Sequence, residues 1–201
     1  MRAHLNGANL FHPKEKELKL LRGLGFTTAH ITPKGGIFQG ESGLAQLGDT
    51  PKVLSNNVAQ VVEYASSGRG TREYPTSLLG VIAFIRQGLI DANWYEKSQD
   101  ILAKYPDGNE PIQLDRSLAS LAEAKNAKQP FVFRTNNELY IDRSANIADE
   151  FGLNLWVKGN GYEYRRIDKM PASFMIIPLN FPGKPDVADP HNALQYSTEQ
   201  L

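Results

Sequence analysis

Pro130-Phe131-Val132-Phe133-Arg134-Thr135-Asn136-Asn137 opens the passage that decides the fold, which continues through Phe151-Gly152-Leu153-Asn154-Leu155-Trp156-Val157 to Phe174-Met175-Ile176-Ile177. Pro130 to Phe133 reads as a short buried strand, an apolar run stopped by polar turn residues. Asn136 or Asn137 can cap a helix, because a short amide side chain accepts from the free N–H groups of a first turn. That helix should end at Phe151-Gly152, where glycine takes the left-handed stop. Leu153 to Val157 is the next strand, Gly159-Asn160-Gly161 the next turn, and Tyr162 to Asp168 a short helix. Phe174 to Ile177 is a last strand, stopped by Pro178 and Pro182. Strands separated by helices of this length predict parallel pairing with right-handed crossovers. The class is α/β, and both an open sheet and a barrel fit the order.

Upstream, Asp115 can cap a helix with Leu118, Leu121 and Ala122 inward. Before it, Leu78, Ile82, Ile85 and Leu89 repeat at 4-3-4 spacing, and Trp94 and Tyr95 continue the apolar surface. This predicts a long helix from about Thr76 to Lys104, broken by Pro106-Asp107-Gly108-Asn109. Val58 to Val62 is strand-like, and Ser66 to Gly70 reads as a flexible turn. Gly35, Gly36, Gly40, Gly43 and Gly48 fall between Pro33 and Asp49, which predicts a long glycine-rich loop. Pro13 to Leu24 is helical by its leucine spacing, Gly25 stops it, and Phe26 to Ile31 is a strand. No internal repeat or low-complexity tail is visible.

Composition narrows the function classes. The chain has 201 residues, 41% hydrophobic and 22% charged, enough for one domain with a real core. Lys plus Arg number 22 and Asp plus Glu number 22, a balance that argues against nucleic-acid binding, which wants a basic surplus. With no cysteine, thiolate metal sites, disulfides and cysteine nucleophiles are excluded. No apolar run approaches the roughly 20 residues of a membrane span, and no secretory leader follows Met1. Both ends read as boundaries cut within a longer chain.

In a parallel α/β sheet, ligands meet the carboxyl ends of the strands. The residues expected there are His30, Lys34, Arg134, Asn136, Lys158, Asn160 and Asn180. The histidines His4, His12, His30 and His191 form no short-spaced ligand pair, so no metal site is read and His30 is taken as a hydrogen-bonded structural residue. Gly40-Glu41-Ser42-Gly43 is one residue short of a serine nucleophile elbow and reads as a turn. No phosphate-binding glycine motif is present. Arg69, Arg72 and Glu73 read as a solvated charged turn. Arg86, Asp91, Trp94 and Tyr95 read as core packing with a polar rim.

Several segments together resemble the imidazolonepropionase-like branch of the amidohydrolase superfamily, and more closely a subgroup of secreted or periplasmic amidohydrolases. They are Leu24 to Thr28, Gly36 to Leu44 with Leu47-Gly48-Asp49, and Arg72 to Gly80. Ile85-Arg86-Gln87, Asp91 to Tyr95, Ile147 to Gly152, Gly159 to Tyr164 and Ile177 to Pro182 complete the set. The resemblance implies a metal-dependent (β/α)₈ barrel that hydrolyses C–N bonds in amides, cyclic amides or dipeptides, with zinc or another divalent metal. It places residues 1–201 as one incomplete central segment, roughly strands two to seven, parallel and joined by crossover helices. An HxH pair on strand one and an Asp on strand eight would then lie outside the chain. Histidines on strands five and six would fall near Phe133-Arg134-Thr135 and Lys158-Gly159-Asn160, where none occurs. The segment is thus expected to hold no cofactor and to be inactive in isolation. A degenerate scaffold or oligomerisation module is the alternative, and an unrelated open-sheet binding domain a third. Implied partners are the remainder of the parent chain, a small amide substrate and a second copy; the resemblance places the parent in the periplasm or outside the cell.

Overall fold

A computed structural model describes residues 1–66, 74–161, 163 and 174–178. All but Ser66 of the turn expected from Ser66 to Gly70, the residues Arg69, Arg72 and Glu73, the helix from Tyr162 to Asp168 apart from Glu163, Asn180 and His191 lie outside the described residues. The chain falls into two compact units, divided between Val132 and Phe133.

In the first unit, helix α1 spans Glu15–Gly23 and buries Leu18. Its end follows from Gly25, whose φ of 91° lets the chain reverse. The Gly25 N–H donates to Arg22 O at 2.9 Å and the Phe26 N–H to Leu21 O at 3.1 Å, a glycine-terminated helix cap. Strand β1 follows at Thr28–Ile31.

The long loop expected from Pro33 to Asp49 is corrected by the structure. It holds strands β2 (Phe38–Glu41) and β3 (Gly43–Gln46). The glycines mark close backbone approach rather than freedom. Gly40 sits at φ 126°, at a register shift in β2, and a Cβ there would strike the Leu5 carbonyl. A Cβ on Gly43 would lie 2.8 Å from the Ala8 Cβ and 2.9 Å from its backbone. Gly35 and Gly36, at φ 92° and 80°, make the turn that leads in.

Strand β3 pairs antiparallel with β1 and with β4, Lys52–Ser55, an edge strand that the sequence reading missed. Strand β2 pairs antiparallel with β5, Gln60–Glu63, and β5 in turn neighbours β6, Pro130–Arg134. The expectation of parallel strands therefore fails for β1–β3, β3–β4 and β2–β5, because short turns rather than helices connect β1 through to β5.

Helix α2 covers Leu78–Lys104, close to expectation, with Ser77 accepting the Gly80 N–H at 3.3 Å. It buries Val81, Ile85, Leu89, Ala92 and Tyr95, whereas Leu78 and Ile82 are half-buried. Trp94, expected in the packed surface, is exposed. Helix α3, Arg116–Asn126, packs against α2. Asp115 caps it, accepting the Ser117 and Leu118 N–H groups at 2.8 and 3.0 Å.

The second unit contains the end of β6, helix α4 (Leu139–Phe151), β7 (Asn154–Lys158) and β8 (Phe174–Ile176). Asn137 accepts the Leu139 N–H at 2.9 Å, and Gly152 at φ 64° ends the helix. Here β7 and β8 do pair in parallel, Trp156 opposite Phe174 and Lys158 opposite Ile176. The architecture is α/β with mixed sheets and four α-helices among the described residues.

The close approach at Gly43 has a measurable sign. Gly43→Ala should lower unfolding free energy by about 1–3 kcal/mol through overpacking against Ala8. Gly23→Ala, in a helix with open space around it, should be neutral or stabilising by up to about 1 kcal/mol. Urea unfolding of both variants checks this, and a neutral Gly43→Ala would return the segment to a loose loop.

Candidate functional site

Strand ends in the second unit are built from turn chemistry. The Thr135 N–H and hydroxyl both donate to Lys158 O, at 3.0 and 3.1 Å, which sets the ends of β6 and β7 side by side. The Gly159 N–H donates to Ile176 O at 3.0 Å, bringing in the end of β8. Asn160 Nδ2 donates to Asn136 O at 2.8 Å and ties the two turns together. Beneath the turn lies Glu163, a buried carboxylate that the sequence reading overlooked. It accepts the Asn160 N–H, and the Gly161 N–H at 3.1 and 2.9 Å. A Cβ at position 159 would meet the Glu163 carboxylate, which would have to move from its place under the turn.

Four of the expected residues thus meet at one end of one unit: Arg134 and Lys158, both half-buried, exposed Asn136, and half-buried Asn160. Asn180 lies outside the described residues. These strand ends carry two cationic residues and two amides, side-chain types suited to carbonyl or carboxylate oxygens, with Asn160 already engaged on Asn136 O. They do not suit a divalent cation, because charged Arg and Lys have no lone pair to give. Among the described residues no group of three His, Asp or Glu side chains could hold a metal ion.

His30 and Lys34 belong to the first unit. Lys34 is exposed. His30 stands within β1 opposite Leu44, and its Nε2 lies 2.6 Å from Ser42 Oγ. Ser42 is fully buried, and its Oγ donates to Ala59 O at 3.1 Å. With that proton committed, His30 Nε2 is the donor to Ser42. The pair holds β1 to the β2–β3 corner. Ser42 is enclosed at this corner and out of reach of a substrate. His4 Nδ1 likewise pairs with Ser117 Oγ at 2.8 Å, and His12 is exposed.

The first unit also holds a buried polar network with little sequence signal beyond one glutamine inside an apolar strand. Gln60 Nε2 donates to Ser120 Oγ at 2.8 Å and to Ala3 O at 3.3 Å. Ser120 Oγ lies 3.0 Å from Glu41 Oε1 and from Ala3 O. Gln39, also buried, donates to Glu63. An open groove of about 480 Å³ runs between α2 and α3, lined by Tyr95, Ala119 and Ala122 with Glu96, Asp100 and Glu123. No expected site residue lines it. No helix among the described residues is long and apolar enough to cross a membrane.

No protein-family model matches the chain. No curated protein matches it either. Among solved structures, an amidohydrolase from Thermotoga maritima is similar in fold, with a TM-score of 0.72 at 16% identity. The likeness covers 92% of this chain and 50% of that one, so this chain spans half the length of that protein. At this identity the likeness is one of fold.

His30 is exposed as a residue, but its Nε2 end meets the fully buried Ser42, and partial desolvation there holds the imidazole below its ordinary value. The unfolded chain takes up the proton below about pH 6.5, while the folded chain resists it. The contribution of His30 is therefore constant above that pH and is lost as pH falls toward the depressed folded value. Wild type should lose more of its urea midpoint between about pH 7.5 and 5.5 than His30→Gln does. Equal losses would show that the His30 proton is not excluded by folding.

Proposed function

We propose that residues 1–201 are the central segment of an amidohydrolase-type (β/α)₈ barrel, roughly strands two to seven. The parent protein then hydrolyses C–N bonds in amides, cyclic amides or dipeptides with a divalent metal. The observation that carries this reading is the fold likeness over nearly the whole chain to half of an amidohydrolase. The branch nearest imidazolonepropionase, and export to the periplasm or beyond, belong to the same proposal on the sequence resemblance.

In this reading Arg134, Asn136, Lys158 and Asn160 form part of the pocket wall. They donate hydrogen bonds to substrate oxygens and fix its orientation. The metal ligands come from other parts of the parent, because the residues at these strand ends do not fit the ion. The same two cations favour a second reading, a barrel half that has lost its metal and serves as a scaffold for an active module.

Metal analysis and amide hydrolysis separate these readings. The 201-residue chain should bind no stoichiometric zinc and turn over no dipeptide or cyclic amide. The longer parent should do both. Turnover by residues 1–201 with added zinc would overturn the segment reading. In the parent, Arg134→Ala should reduce kcat/KM about tenfold or more while metal content holds, a loss of about 1.4 kcal/mol in transition-state binding. Unchanged kcat/KM would favour the scaffold.

A further inference from the structure

Helix α2 is apolar on two faces. The inner face, from Val81 to Tyr95, is buried in its own unit. The outer face carries Leu79, Ala83, Ile90, Trp94, Ile101 and, at the cap, Tyr105. The five large residues of that set keep between 49% and 78% of their surface exposed. At about 100° per residue all six fall within an arc of about 80°, along roughly 39 Å of helix. Gln87 and Lys97 alone interrupt the stripe with polar groups.

The intervals along this stripe are 4, 7, 4, 7 and 4. They read the same in both directions, with the midpoint at Ala92. An antiparallel copy therefore sets Leu79 level with the partner's Tyr105, Ala83 with the partner's Ile101, and Ile90 with the partner's Trp94. The small Ala83 then meets the large Ile101, and the aliphatic Leu79 and Ile90 meet aromatic rings, which fills the interface evenly. A parallel copy would set Trp94 on Trp94, leave a gap at Ala83, and bring Lys97 level with Lys97. The antiparallel arrangement sets Lys97 level with the partner's Gln87, which in its own chain bonds Asp91 at 2.6 Å.

The exposed parts of these side chains amount to roughly 600 Å² per copy, against about 800 Å² per partner in a standard stable interface. The aliphatic stems of Gln87 and Lys97 add to it. A two-fold contact demands one patch that complements itself, and a palindromic stripe has that property. We propose that the outer face of α2 docks a second copy of this chain, antiparallel and two-fold about Ala92. The proposal is independent of the amidohydrolase reading.

Light scattering after size exclusion of the 201-residue chain should give a dimeric mass at tens of micromolar. Trp94→Glu with Ile101→Glu should weaken association at least tenfold, with the helical circular dichroism retained because both side chains are exposed. The absence of cysteine allows a direct reading of orientation. On oxidation, Ile90→Cys mixed with Trp94→Cys should cross-link across the interface, and Leu79→Cys alone should not. A monomer at 100 micromolar would overturn the proposal. So would a dimer insensitive to the glutamates, self-linking by Leu79→Cys, or protection of Trp94 only in a longer parent, which would assign the stripe to another segment.

Discussion

The Glu41 N–H donates to the Leu5 carbonyl at 2.7 Å, and much of the first unit depends on that approach. It requires backbone against backbone at Gly40 and again at Gly43, where any side chain would intrude. Once the N-terminal segment is seated there, Ala3 O reaches Gln60 and Ser120, and Asn6 reaches Glu41 and the carbonyl of Asn56. The bonds of Ala3, Gln60 and Ser120 are buried and that of Asn6 to Glu41 is part-buried, and such groups would be costly to leave unmade. The glycines are thus the condition for a polar network that joins β2, β5 and α3.

This explains why the helices were legible and part of the sheet was not. A helix announces itself within its own residues: Asp115 caps α3, Ser77 caps α2, and Gly25 and Gly152 stop α1 and α4 by taking positive φ. Strands β2 and β3 are defined by what lies against them. A run with five glycines gives no period-2 pattern, and only the Leu5 and Ala8 backbones give those glycines their meaning. Strand β4 fails for the opposite reason. Three of its four residues are exposed, so no buried face writes an alternation into the sequence.

The site divides in the same way. The strand-end positions of Arg134, Asn136, Lys158 and Asn160 were legible because Asn136-Asn137 and Gly159-Asn160-Gly161 fix the strand ends locally. Glu163 was not, because its carboxylate acts through backbone N–H groups behind it in the turn, which no side-chain motif records. His30 reads in sequence as a polar strand-end residue. In the fold it is spent on Ser42, a partner twelve residues away whose importance comes from enclosure at a corner. Polar residues at a parallel strand end can face a ligand because the strand backbones below them are already paired. Those within an antiparallel sheet are more often consumed in holding the sheet together.

The long helix shows how a single glycine settles what periodicity leaves open. Leu78, Ile82, Ile85 and Leu89 run at helical spacing, and so do Leu79, Ala83, Ile90 and Trp94. Either stripe could have faced the sheet. Gly88 lies on the buried side, and a Cβ there would sit 2.6 Å from Phe38 Cε2. Glycine within a helix costs about 1 kcal/mol relative to alanine, so its presence calls for a compensating contact. That contact is the Phe38 ring laid against the helix backbone, with Phe84 6.2 Å from it at the margin. The same residue turns the Ile90 and Trp94 face outward. The exposure of that face therefore follows from how β2 is packed, and the apolar character of the outer stripe calls for a cause outside this unit's own core.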